Sequence, residues 1–82
     1  MKKGSTVLLK RPEEIKEEFK DKINSTEESY VFENLDLNIE QINAICPEIE
    51  YKILYIDSDG DIKFYNLPGT YPQEVIKEII NE

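Results

Sequence analysis

The stretch that most constrains this chain runs from Tyr51 to Leu67, YKILYIDSDGDIKFYNL. Two runs rich in Ile, Tyr and Phe flank Asp57-Ser58-Asp59-Gly60, and Gly60 supplies the left-handed residue that a tight reversal needs. The stretch therefore reads as a β-hairpin that the rest of the chain is arranged to cover. With Ser58-Asp59-Gly60 as a three-residue loop, Asp57 stands opposite Asp61, Ile56 opposite Ile62 and Leu54 opposite Phe64. Opposed residues share a face, so Leu54, Ile56, Ile62 and Phe64 are expected in the core. On the other face Ile53 pairs with Tyr65 and Tyr55 with Lys63, with Tyr51 farther along. That face reads in two ways. A helix covers it and the tyrosine hydroxyls reach water at the rim, or it is an open aromatic surface offering a partner large, rigid contact area.

The remaining segments suggest what does the covering. Ser5–Lys10 is a short β-rich run ended by Arg11-Pro12, since Pro12 cannot donate to a ladder but suits the first turn of a helix. Ile15, Phe19 and Ile23 then recur every four residues, which predicts a helix with one apolar stripe, its acids at the start and lysines at the end. Tyr30–Glu33 reads as a second short strand. Asn38 and Gln41 form a capping pair ahead of Ile39, Ile42 and Ile45, so a short helix or 3₁₀ turn is expected there, closed by Pro47. Gln73–Asn81 places Val75, Ile76, Ile79 and Ile80 on one face of an expected C-terminal helix, after Thr70 or Tyr71 as cap. The fold class is thus α+β: a small bent antiparallel sheet, SH3-like and partly open as a barrel, packed against an N-terminal and a C-terminal helix. The 82 residues make a single domain, 1–82. A domain of this size buries only about 60–65% of the surface its unfolded chain exposes, so modest stability is expected.

Charge narrows the function classes. The chain carries a formal charge of −8, unevenly spread. Met1–Ile23 holds seven basic residues against five acidic ones, whereas Asn24–Glu82 holds three against thirteen. Between Ile23 and Tyr51 the acids Glu27, Glu28, Glu33, Asp36, Glu40, Glu48 and Glu50 occur without one basic residue. Direct binding to nucleic-acid phosphates is disfavoured over such a surface, and a basic partner protein would be attracted. The same excess also reads as a solvated, solubility-giving face. Met-Lys-Lys-Gly-Ser followed by only three apolar residues is far short of a signal-peptide core or a membrane span, so a cytoplasmic location and no membrane contact are expected.

Catalytic chemistry is sparse. The sequence has no histidine, which removes the usual general base and the commonest metal ligand. Cys46 is the single cysteine and reads as a small buried residue rather than a nucleophile. Asp57-Ser58-Asp59-Gly60-Asp61 resembles the opening of a calcium loop, but that motif needs Gly at position 6 and Glu at position 12. Here Gly60 stands at position 4 and Pro68 at position 12, so a hairpin turn is the better account. No cofactor and no metal centre are expected, and the chain reads as a non-enzyme.

One resemblance spans most of the chain. Lys3-Gly4-Ser5-Thr6-Val7-Leu8-Leu9-Lys10, Cys46-Pro47-Glu48, Ile56-Asp57-Ser58-Asp59-Gly60-Asp61 and Tyr71-Pro72-Gln73-Glu74-Val75-Ile76 resemble successive motifs of small proteins encoded by phages and mobile elements. Those open on Gly-Asp-x-Val-x-Val, continue through a Cys-Gly-Lys entry and an Ile-Asp-x-Asp-Gly hairpin, and end on Trp/Tyr-Pro-x-Glu. Ser5 departs where Asp is usual, and Pro47 where Gly is. The resemblance implies an SH3-like barrel and a phage or mobile-element setting, with no reaction attached.

These readings lead to a non-enzymatic, acidic protein-binding module. Glu27, Glu28, Glu33 and Asp36, with Tyr51, Tyr55 and Tyr65, are the candidate partner-binding residues. An inhibitor of a host nucleic-acid-binding defence protein, of the anti-CRISPR or DNA-mimic type, would use such carboxylates in a site meant for phosphates. The alternative is a barrel that binds a peptide or nucleic acid through its tyrosine face, by stacking. A homodimer is also open to the chain, through an uncovered strand edge at Ser5–Lys10.

Overall fold

The computed structural model describes every residue except Ser25, Glu27 and Asn34. β1 (Thr6–Leu9) runs through the interior of a four-stranded antiparallel sheet. Val7 and Leu9 are fully buried while Thr6 and Leu8 are half-buried, the period of two that a one-sided strand requires. β5 (Glu50–Ile56) lies along one side of β1, with Val7 opposite Tyr51 and Thr6 opposite Lys52. β7 (Ile76–Asn81) lies along the other, with Val7 opposite Ile79 and Leu9 opposite Ile76. β6 (Ile62–Phe64) completes the order β6-β5-β1-β7. The uncovered edge expected at Ser5–Lys10 is therefore occupied on both sides, and the free edge of this sheet belongs to β7.

β7 stands where the C-terminal helix was expected. Gln73–Val75 makes one 3₁₀ turn and the chain then extends. Val75, Ile76, Ile79 and Ile80 do satisfy helical spacing, but β-branched side chains are stiff in a helix and pack well on a pleated surface. Docking on β1 also hydrogen-bonds the backbone, which a marginal helix of this length would leave exposed to competition from water. The pairing is irregular: Lys77 and Ile80 are extra residues where β7 shifts register against β1.

A second sheet contains β2 (Ile23–Asn24), β3 (Ser29–Phe32) and β4 (Leu35–Asn38) in that order, antiparallel throughout. β3 realises the expected strand at Tyr30–Glu33 one residue earlier. Tyr30, Phe32 and Leu37 turn inward, whereas Val31 and its opposite number Asp36 face solvent. The sheets do not close into a barrel.

Two short helices cover the interior. α1 (Pro12–Glu18) starts on Pro12 and buries Ile15, and Phe19 follows into the core. Its expected stripe stops there, because Lys20–Lys22 tightens into a 3₁₀ turn and carries Ile23 out to the surface on β2. α2 (Ile39–Asn43) has the expected reciprocal cap: the Gln41 amide donates to Asn38 Oδ1 at 2.7 Å, and the Asn38 amide to Gln41 Oε1 at 3.2 Å. One core joins the layers, with Phe19 edge-on to Phe32 at 5.2 Å and Phe64 edge-on to Tyr71 at 5.8 Å. The class is α+β, with two sheets and two α-helices among the described residues.

Candidate functional site

The hairpin forms where expected, and its tip is fastened by its own aspartate. Asp57 Oδ1 accepts from the amides of Asp59 and Asp61 at 2.9 and 3.0 Å. The Asp57 amide donates to the Asp61 carbonyl at 2.9 Å, and the Gly60 amide to the Asp57 carbonyl at 3.0 Å. Gly60 takes a φ of +85°, the conformation that makes glycine necessary there. Asp57 thus acts as a turn clamp.

Below the tip the register differs from the expected one. Ile56 does face Ile62 and Tyr55 does face Lys63, but Phe64 stands opposite Ile53. Leu54 is the extra residue of a β-bulge. The bulge puts Ile53 and Tyr51 on the same side as Ile62 and Phe64, and all four are buried. Leu54 and Ile56 are half-buried, so the expected core face is only half right. The three tyrosines are separated by the same shift. Tyr51 is a core residue whose hydroxyl accepts from the Cys46 amide at 3.1 Å and whose ring meets Phe64 edge-on. Tyr55 and Tyr65 stay on the outer face, 45% and 47% exposed. Tyr51 is therefore removed from the candidate partner-binding residues. Cys46, expected to be buried, is partly exposed.

The tip takes part in a carboxylate cluster that no single stretch of sequence contains. Gln73 Nε2 donates to the Gly60 carbonyl at 3.2 Å, which ties the 3₁₀ turn to the hairpin and brings Glu74 beside it. Glu33, at the end of β3, reaches the same place. A hollow of about 140 Å³ results, with Glu33, Asp59, Asp61 and Glu74 on its walls and Phe32 and Pro72 as apolar lining. No lysine or arginine among the described residues lines it. Burial first, and then the charges of Asp57, Asp59 and Glu74, hold the Asp61 carboxyl above its usual pKa. One carboxylate oxygen from each of Asp57, Asp59 and Asp61 lies within 4.8 Å of the others. Such a trio suits a hard cation, although Asp57 Oδ1 already serves the turn amides.

The acids singled out from sequence do not form one patch. Glu33 lines the hollow. Glu28, at a φ of +52°, lies at the opposite end of β3, and the four residues between them span about 13 Å. Asp36 is exposed on the outer face of β4, and Glu27 lies outside the described residues. Sequence reasoning missed Glu74 and did not count Asp59 and Asp61 among the partner-binding residues. The aspartates were visible as a cluster, but only the fold reveals that Glu33 and Glu74 join them. No helix among the described residues is long and apolar enough to cross a membrane. Comparison with protein-family profiles, with curated proteins and with solved structures returned no match.

Proposed function

We propose that this chain is a non-catalytic, acidic module that binds a basic surface of a partner protein at the hollow between the hairpin tip, β3 and the 3₁₀ turn. The observation that carries this reading is convergence. Glu33, the hairpin aspartates and Glu74 come from three separate segments and meet around a concavity that no lysine or arginine among the described residues lines. Folding gains nothing by gathering like charges, which repel at contact range even at a protein surface. A lysine or arginine side chain inserted there relieves that repulsion, and the apolar lining suits the stem of such a side chain.

The fuller reading is an anti-defence protein of phage or mobile-element origin, acting in the host cytoplasm. It would blunt a nucleic-acid-binding defence protein by occupying its phosphate site. An SH3-like ancestry of the bent four-stranded sheet belongs to the same proposal, and its support is the motif resemblance together with the α+β class.

Capture from host lysate tests it with two variants. In one, Glu33, Asp59 and Glu74 become lysine; in the other, Tyr55 and Tyr65 become alanine. The expected result is a nucleic-acid-binding protein held by the wild type and the tyrosine variant, lost by the charge-reversed one, and displaced by double-stranded DNA. Retention by the charge-reversed variant would sink the proposal. Loss confined to the tyrosine variant would favour the second reading, peptide or nucleic-acid binding on the outer hairpin face, which the exposure of Tyr55 and Tyr65 beside Lys63 supports.

A further inference from the structure

The free edge of the four-stranded sheet is unlike its other boundaries. β6, at the far side, is partly covered, since Ile62 exchanges backbone hydrogen bonds of 2.8 Å with Tyr71 across its outer edge. In the separate three-stranded sheet, the edge strands β2 and β4 are only two and four residues long. β7 presents six residues, and Ile79 and Ile80 on it are 45% and 42% exposed. An open groove of about 710 Å³ runs between α1 and Lys77 on β7. A long apolar edge strand is a template for pairing with another strand.

We propose that this edge pairs antiparallel with the same edge of a second copy of the chain, about a two-fold axis between Lys77 and Glu78. The sequence of β7 is self-complementary in that register. Lys77 lies opposite Glu78 of the second copy and Glu78 opposite its Lys77, which forms two cross-strand ion pairs. Ile76 lies opposite the second copy's Ile79, and the reverse pair repeats it.

The irregularity in β7 is what makes the faces agree. Ile76 and Ile79 are three residues apart, a spacing that would send them to opposite faces of a regular strand. The extra residue at Lys77 places both in register with buried β1 residues, Ile76 with Leu9 and Ile79 with Val7. The dimer would therefore carry apolar rows Leu9–Ile76–Ile79–Val7 across the junction, in an eight-stranded sheet. A charged pair and a bulge on an edge ordinarily deter pairing. In this register the charges neutralise each other, so they deter foreign strands and slipped registers while permitting the two-fold one. A closed, isologous contact also stops at two copies.

The interface is small, so the dimer should be weak and concentration-dependent. Sedimentation equilibrium at physiological salt, up to about 1 mM protein, is the test, because a small interface gives weak association. The wild type should show a monomer–dimer equilibrium. Lys77→Glu and Glu78→Lys each replace two attractive pairs by two repulsive ones and should weaken dimerisation about tenfold or more. Both residues are exposed, and circular dichroism checks that each variant stays folded. Mixing the two variants restores opposite charges at both pairs and should recover a mixed dimer. A wild type that stays monomeric throughout overturns the proposal, as does a wild-type dimer untouched by either substitution or a mixture that fails to recover. Protection of the β7 amides by an added peptide, without dimerisation, would assign the edge to a foreign strand instead. Lys77 and Glu78 do not line the acidic hollow, so either proposal can fail alone.

Discussion

At the scale of single residues, a buried polar joint holds the two sheets in relation. Gln41 is almost fully buried, and each of its polar groups is engaged. Its side-chain nitrogen donates to the Thr70 carbonyl at 2.9 Å, and its backbone carbonyl accepts from the Tyr71 hydroxyl at 2.7 Å. Burial, and then the neighbouring Tyr51, push the Tyr71 phenol far above its ordinary pKa, so it remains a neutral donor. Gly69 is fixed by the same joint: its φ is +66°, and a Cβ there would lie 2.7 Å from Gln41 Nε2. Tyr71→Phe removes the donor and leaves the carbonyl buried without it, which should lower unfolding stability by about 1–3 kcal/mol in urea titration. Asp61 gives a prediction of opposite sign. Its raised pKa means that the native state binds the proton more tightly than the unfolded chain does. The native state is therefore favoured below the ordinary aspartate pKa, and that advantage is lost as pH rises through the Asp61 titration. Asp61→Asn keeps the backbone turn and removes the charge. It should be more stable than the wild type at pH 7, with the difference vanishing near pH 3, as thermal melts at the two pH values (ordinary carboxylates titrate at about 4) will report.

At the scale of elements, what the sequence made legible depended on whether a signal was local. The hairpin reversal, the Asn38–Gln41 cap and the Pro12 helix start are satisfied within a few residues, and each formed where expected. Register and pairing are not local. The bulge at Leu54 puts Ile53 and Tyr51 in the core, where Tyr51 stands opposite Val7 of β1. Nothing within the hairpin sequence marks that residue as extra. The C-terminal segment failed for a related reason: its isoleucines satisfy both a helical stripe and a bulged strand, and the open side of β1 decides between them. Of the candidate site, only Glu33 and the hairpin aspartates were visible, and their meeting with Glu74 depends on the Gln73–Gly60 bond across the fold. Strand and helix make opposite demands on β7, which supplies a test. Ile76→Ala and Ile80→Ala raise helix propensity and lower strand propensity. Each should cost about 0.5–1 kcal/mol in denaturant titration if the segment is paired with β1, and should be neutral or stabilising if it is helical.

At the scale of the whole molecule, the charge distribution sets two opposing responses to salt. The ion pairs Lys10–Glu18, Lys20–Glu17 and Arg11–Glu13 join three of the seven basic residues of Met1–Ile23 to acids of α1. They leave the hollow uncompensated. Exposed pairs of this kind are worth little, typically well under about 1 kcal/mol each, whereas a surplus of −8 on a 9.6 kDa chain repels itself throughout. Raising the ionic strength from about 0.02 to 0.5 M shortens the screening length from roughly 20 Å to about 4 Å, which removes most of that long-range repulsion. The fold should therefore become more stable with added salt, its melting temperature rising by a few degrees. Binding to a basic partner at the hollow should move the other way, because the same screening weakens attraction between exposed charges and slows encounter. Measured together on one sample, melting temperature and partner affinity should show opposite slopes against salt. The charge-reversed variant at Glu33, Asp59 and Glu74 changes the two slopes differently. Three acids replaced by lysines leave a formal charge of only about −2, so the stabilising slope should flatten, and the binding slope should disappear with the binding. An affinity that does not fall with salt would mean that contact is made through apolar surface, and the carboxylates gathered at the hairpin tip would then be a cost of the fold with no use in recognition.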